Sequence, residues 1–280
     1  MMNSINRKKM ATKLFLHLIL ILVSISMIFP FLWMLSTSLK SLDQVFLIPP
    51  IWIPKPPQWE NYLNAWNALP FGNAYLNSLK IALICVIGQL ITCSMAAYAL
   101  AKINFRGKNI IFIAFLATMM VPSQVTMIPT FILYKYIGWI DTHLPLTVPW
   151  VLFSAFGVFL IRQFILTLPK ELDEAAIIDG ANHFVIYTRI ILPLIVPVLA
   201  TLAIFTFMSS WNNFLGPLIY LNSPEKYTVP LLLAQFKGIY ITDWTLLMAA
   251  STIAIVPVLI VYLLGQRYII ESIALTGIKS

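Results

Sequence analysis

Long apolar runs separated by short polar stretches organise this chain from end to end. The runs lie near Leu14–Leu35, Tyr75–Ala101, Ile110–Leu133, Leu144–Ile165, Leu194–Tyr220 and Leu246–Gln266. Each reaches the length of about 20 residues that an α-helix needs to cross the hydrocarbon layer of a bilayer. None shows the strict alternation of a membrane β-strand. The pattern therefore predicts an all-α integral membrane protein with six transmembrane helices within residues 14–266, flanked by polar tails at 1–13 and 267–280. A helix satisfies its own backbone in lipid, and the connections are short, so no separate soluble core is expected.

Composition agrees, with 60% hydrophobic and only 10% charged residues, far from the roughly one-quarter charged average of soluble domains. Arg7, Lys8 and Lys9 precede the first run as in a signal peptide, but the 22 residues of Leu14–Leu35 exceed an h-region of about 7–15. A retained first span is expected. Six spans put both ends on one side, which then holds Arg7, Lys8, Lys9, Lys13, Lys102, Arg106, Lys108, Arg162, Lys170, Arg189, Arg267 and Lys279. The other side holds Lys40, Lys55, Lys80, Lys135, Lys226 and Lys237. Lys and Arg stay cytoplasmic during insertion, so this asymmetry predicts cytoplasmic termini. The net charge of +8 is spread over loop ends, which fits anionic lipid headgroups and gives no nucleic-acid face.

Trp52, Trp59, Trp66, Trp139 and Trp244 fall in or beside the outer loops as interfacial belt residues. Pro49, Pro50, Pro54, Pro56 and Pro57 make the first outer loop a stiff strip, either a structural cap or a docking surface. Pro122, Pro129, Pro193, Pro197 and Pro257 lie in or beside spans, where each permits a kink, static or hinged.

Chemistry is sparse. Cys85 and Cys93 lie eight residues apart on one predicted helix, about 12 Å along its axis, so they read as buried small residues that cannot form a disulfide. Three histidines without an acidic or thiol cluster provide no metal or hydrolytic site. Gly107-Lys108 is followed by Asn109, so the phosphate-binding loop of an ATPase is absent and no bound cofactor is expected. None of the ten acids lies deep in a span, which counts against an ion-gradient-driven transporter. Gln89 and Gln124 lie inside the second and third spans, and Ser209, Ser210, Asn212 and Asn213 place four polar side chains near the outer half of the fifth. In lipid they must face another helix or a wet pathway.

Four of the ten acids, Glu171, Asp173, Glu174 and Asp179, crowd into the loop at about 168–193. Pro169 and acids open a short helix there and Gly180 ends it, followed by a second helix. Small Ala175 and Ala176 are suited to close approach by another protein, and apolar Ile177 and Ile178 to a partner's groove. Glu174-Ala175-Ala176, three residues, Gly180, nine residues and Ile190-Ile191-Leu192-Pro193 together resemble, without a gap, the EAA motif of ABC importer permeases.

The resemblance extends over nearly the whole chain. Leu76-Asn77-Ser78, Ala96 to Ala101, Phe105-Arg106-Gly107, Val121-Pro122, Ile128-Pro129 and Ser210-Trp211-Asn212 look like the maltose-type carbohydrate permeases, specifically the shorter, six-span partner. It implies a type I ABC importer permease fold without its own ATPase site. It also implies a second homologous permease, two cytoplasmic ATPase subunits carrying ATP and Mg, and an extracytoplasmic solute-binding protein. By the same resemblance Glu174, Ala175, Ala176, Asp179, Gly180, Ile190, Leu192 and Pro193 form the ATPase-coupling loop. The tail Leu275–Lys279 resembles a second ATPase contact but lacks the paired glycines of that family. A non-sugar solute shares the same loop and is the alternative within this class.

Overall fold

The computed structural model describes residues 2–237 and 242–277. Fourteen α-helical segments are described: α1 (Met2–Ser38), α2 (Glu60–Ala68), α3 (Phe71–Lys102), α4 (Lys108–Thr118), α5 (Ser123–Tyr136), α6 (Leu144–Leu152), α7 (Ala155–Ile165), α8 (Glu171–Ile178), α9 (His183–Val185), α10 (Leu192–Leu194), α11 (Val196–Trp211), α12 (Leu215–Tyr220), α13 (Val229–Gln235) and α14 (Trp244–Gly277). One isolated antiparallel bridge joins Lys237 and Thr242, and no β-strand occurs among the described residues.

Stretches within α1, α3, α6 with α7, and α14 are long and apolar enough to cross a membrane. The other two expected spans are bent pairs, so the count is four, or six if each pair is one span. The α4–α5 pair turns by 96°, with Pro122 immediately before α5. The pair formed by 183–194 and α11 turns by 75°. Pro193 and Pro197 flank that turn, and a π-helical stretch at Ile186–Ile191 precedes it. Proline removes an N–H and clashes with the preceding turn, and a π-turn shifts the bonding register, so both explain a break that an apolar run alone does not reveal. The first and last helices run on into the expected tails: α1 begins at Met2, and α14 runs to Gly277. Ile278 and Lys279 of the expected tail lie outside the described residues.

One compact unit contains residues 1–69 and 235–254. Within it the proline-rich loop folds over the end of α1. Trp52 meets Phe29 and Trp33 edge-on at 5.4 and 5.2 Å, and its carbonyl accepts from the Ser36 hydroxyl. Asn61 on α2 donates to the Ser38 and Lys40 carbonyls, which would otherwise be left open at a helix end. These contacts cap the end of α1, while Ile48 and Ile53 of the same loop stay exposed. Lys40 is fully buried, with its ammonium 4.1 Å from the centre of the Trp33 ring.

The second unit, residues 70–234 and 255–280, is built on α3. Its main cluster joins Cys93, Ala97 and Leu100 of α3 to Val158 and Ile161 of α7, and to Val198 and Leu202 of α11. The fourth span is interrupted at Phe153 and Ser154, between α6 and α7. A gap in a membrane helix strands carbonyls, and α3 supplies the missing donors: Thr92 Oγ1 donates to the Val151 carbonyl at 2.7 Å. The Cys85 and Cys93 thiols face the Leu146 and Ser154 carbonyls at 3.4 and 3.8 Å. Both cysteines are free and buried, and in addition to filling space they act as weak donors to the broken span. The close approach requires Gly88, where a Cβ would lie 2.4 Å from Val151 Cγ2.

Asp141, at φ 60°, closes the loop before α6. Its carboxylate accepts from the Asn222 and Ser223 amides, the Ser223 hydroxyl and Lys226 Nζ. These bonds, led by that from Lys226, hold its pKa well below the usual carboxylate range. A lowered folded pKa gives stability that is present above the unfolded value of about 4 and is lost as pH falls toward the folded one. Asp141→Ala is expected to cost about 1–2 kcal/mol, a drop of roughly 3–6 °C in Tm. Thermal unfolding of the purified protein checks this, and the gap between wild type and variant should narrow below about pH 4.

Candidate functional site

The acidic loop folds into the expected helix, turn and helix. Glu171, Asp173 and Glu174 occupy the first turn of α8, where carboxylates favour the exposed N–H groups. At the other end Gly180 takes φ +80°. Its N–H donates to the Ile177 carbonyl at 3.0 Å and the Ala181 N–H to the Ala176 carbonyl at 2.9 Å, the paired bonds of a Schellman cap. Asn182 then caps α9 by accepting from the Val185 N–H.

The two faces of α8 differ. Glu174, Ala175, Ile177, Ile178, Asp179 and Gly180 are exposed, Ile178 at 85%. Ala176 is buried in the core of its own chain, so its small side chain serves packing of α8 against the spans and is not open to another protein. Ile190 and Leu192 likewise pack against that core, and only Pro193 of this trio is exposed. The outward face is therefore narrower than the motif.

Polar contacts join this segment to the end of α3. Lys102 Nζ pairs with Asp173 at 2.5 Å, with side chains only 11% and 17% exposed. Tyr98 contacts His183 Nδ1 at 3.3 Å, and Ser94 meets the Tyr187 hydroxyl at 2.8 Å. Lys102 read in the sequence as a topology charge and Tyr98 as part of the Ala96 to Ala101 stretch, while Ser94 was not singled out. Their partners lie 71 to 93 positions away, so no local pattern revealed them.

Of the polar span residues, Gln89 and Ser209 line one hollow of about 460 Å³ together with Trp150, Phe205 and Thr206. Thr206 Oγ1 donates to Gln89 Oε1 at 2.9 Å. Asn213 lines a second hollow of about 340 Å³, which also has Trp150 in its wall. The structure does not bring the other three there. Gln124 is exposed beside Ser123, Asn212 is exposed, and Ser210 turns toward the Cys85 thiol. Trp150 was not picked out from the sequence, because an aromatic residue within an apolar run carries no signal of its own.

No group of three or more potential metal ligands occurs among the described residues. The chain resembles the probable ABC transporter permease protein YurM of Bacillus subtilis, at 34% identity over 96% of this chain and 88% of that protein. It is also similar to the arabinooligosaccharides transport system permease protein AraQ of the same organism, 35% identical over 94% and 95% of the two chains. Among solved structures, a bacterial ABC transporter that imports the acidic polysaccharide alginate shares the fold. Its TM-score is 0.83 at 23% identity, covering 94% of this chain and 98% of that one. Residues 89–274, which include the docked loop and both hollows, match the family of binding-protein-dependent transport system inner membrane components, and the chain belongs to that family as a multi-pass membrane permease.

Proposed function

We propose that this chain is a permease subunit of an ATP-driven importer that takes up carbohydrate, an oligosaccharide or related sugar. The observation that carries the reading is the docked helix α8, exposed along Glu174, Ala175, Ile177 and Ile178 and tied to α3 through Lys102 and Asp173. A short capped helix that presents Ile177 and Ile178 outward among acidic residues is suited to seat in a groove of another protein. The solute class follows from the relatives, since the arabinooligosaccharide permease covers nearly the same length.

In this proposal the assembly holds a second homologous permease, two cytoplasmic ATPase subunits and an extracytoplasmic solute-binding protein. Both termini are cytoplasmic. ATP and Mg belong to the ATPase, and this chain binds no cofactor. Closure of the ATPase dimer carries Glu174, Ala175, Asp179 and Gly180 with it. Ala176, Ile190 and Leu192 deliver the movement inward, with Pro193 at the entrance to the fifth span. Because α3 bears Lys102 at its end and Gln89 along its length, displacement of α8 reaches the membrane interior through one helix. The sugar pathway runs past Gln89, Ser209 and Asn213.

Gentle solubilisation of the N-terminally tagged chain, followed by mass spectrometry of what co-purifies, tests this. Recovery of an ATPase and a second permease is expected. A transport-competent preparation containing this chain alone would overturn the reading.

A further inference from the structure

Trp150 walls both hollows of the α3-centred unit. It stands on α6 four residues before the break at Ser154, and Ser154 also lines the first hollow. Its indole is part-buried against the cluster of Ile81, Cys85 and Leu146, so one part of the ring is held while the rest faces open space. Phe156 and Phe205 add aromatic surface to the first hollow, and Tyr134 and Tyr220 to the second.

Three N–H donors at these walls have no acceptor among the described residues. Gln89 is only 5% exposed and uses its oxygen to accept from Thr206, leaving its amide NH2 free. Asn213 uses its oxygen to accept from the Gly216 N–H, so its NH2 is also free, and the Trp150 indole N–H donates to nothing. Donors left open in a membrane interior are costly unless water or a solute reaches them. Hydroxyls of Ser123, Thr126, Thr130 and Ser209 widen the polar lining. Among the described residues, no Asp, Glu, Lys or Arg lines either hollow.

We propose that this chain contacts the passing solute directly, with Trp150 as the stacking wall shared by two successive subsites, and that these subsites select an uncharged saccharide. Sugars present C–H faces that pack flat on an aromatic ring and hydroxyl and ring oxygens that accept from N–H donors at its edge, which is the complement of this lining. An ionised sugar acid or a cationic peptide would enter without a counter-charge in a low-dielectric wall, which is unfavourable. The proposal rests on the carbohydrate-importer reading above and adds to it the subsite, its residues and the charge of the solute.

The test uses the co-purified importer with its binding protein in proteoliposomes. Uptake of radiolabelled arabinotriose and maltotriose is compared with that of an oligouronate, beside ATPase stimulation by the binding protein. Wild type is expected to move at least one neutral trisaccharide and not the uronate. Trp150→Ala and Gln89→Leu should each lower maximal uptake tenfold or more, and Asn213→Ala several-fold, with ATPase association unchanged. Trp150→Phe keeps a ring and a filled core, and should fall between wild type and Trp150→Ala. It decides the matter together with Asn213→Ala if the alanine variant at 150 fails to assemble. Neutral uptake by wild type that is unaltered in all these variants, or equal uptake of the uronate, would overturn the proposal and leave the importer reading standing. Absence of any saccharide uptake by wild type would remove both.

Discussion

Gly180→Val is expected to abolish solute uptake while the chain still inserts into the membrane. Gly180 sits at φ +80°, where an ordinary L-residue is destabilised by about 1–2 kcal/mol and a β-branched one is a genuine outlier. If the turn opens, the two bonds of the helix cap go with it, at about 0.5–1.5 kcal/mol each. Because about 1.4 kcal/mol is a factor of ten, the docked arrangement of α8 should become roughly 10- to 100-fold rarer. A Cβ at this position would meet nothing within 4 Å, so within this chain the deficit arises from backbone conformation and not from collision. Gly180→Asn, a residue that tolerates the left-handed region, should therefore retain much more uptake than Gly180→Val. Transport assays in membrane vesicles, with co-purified ATPase measured in parallel, check both. Normal uptake by the valine variant would reject a role for this turn.

Charge reversal at the foot of α3 should have an effect of similar size. The Lys102–Asp173 pair is mostly withdrawn from water and is made through Asp173 Oδ2, and Asp173 Oδ1 is buried with no hydrogen-bond partner among the described residues. Removing one partner of such a pair leaves a desolvated charge, at about 3–5 kcal/mol for full burial and less here because both side chains keep some exposure. Lys102→Glu adds like-charge repulsion. Each of Lys102→Glu and Asp173→Lys is expected to lower uptake tenfold or more, and the double variant to recover most of it. Restoration is the informative result, because it separates the link between α8 and α3 from mere damage to either helix. A double variant no better than the singles would show that the contact transmits nothing.

The sequence by itself determined the class of molecule. Apolar runs of span length exclude a water-soluble domain, and the spacing from Glu174 to Pro193 marks a short capped helix that ends at Gly180, as the structure shows. These features are local: a run of apolar residues requires lipid whatever its neighbours are, and a glycine that ends a helix does so through its own φ. The breaks in the third and fifth spans were less legible. Prolines marked the places, but whether a proline bends a helix by 96° or 75° or only interrupts one bond depends on what packs against it. Pro257, inside α14, leaves that helix unbroken.

Only the tertiary structure decided which side of the motif faces its own chain. Ala175 and Ala176 are identical in sequence terms, yet one is exposed and the other buried, because the Lys102–Asp173 pair and the core around Ile161 and Ile186 fix the rotation of α8. The same holds for the cysteines beside the broken fourth span and for Trp150 at the junction of two hollows. Each of these depends on helices brought together across tens of residues of chain. In a membrane protein the apolar pattern states how much surface must avoid water, but lipid and protein satisfy it equally well. The choice between them is made by packing and by the few polar groups that must find partners.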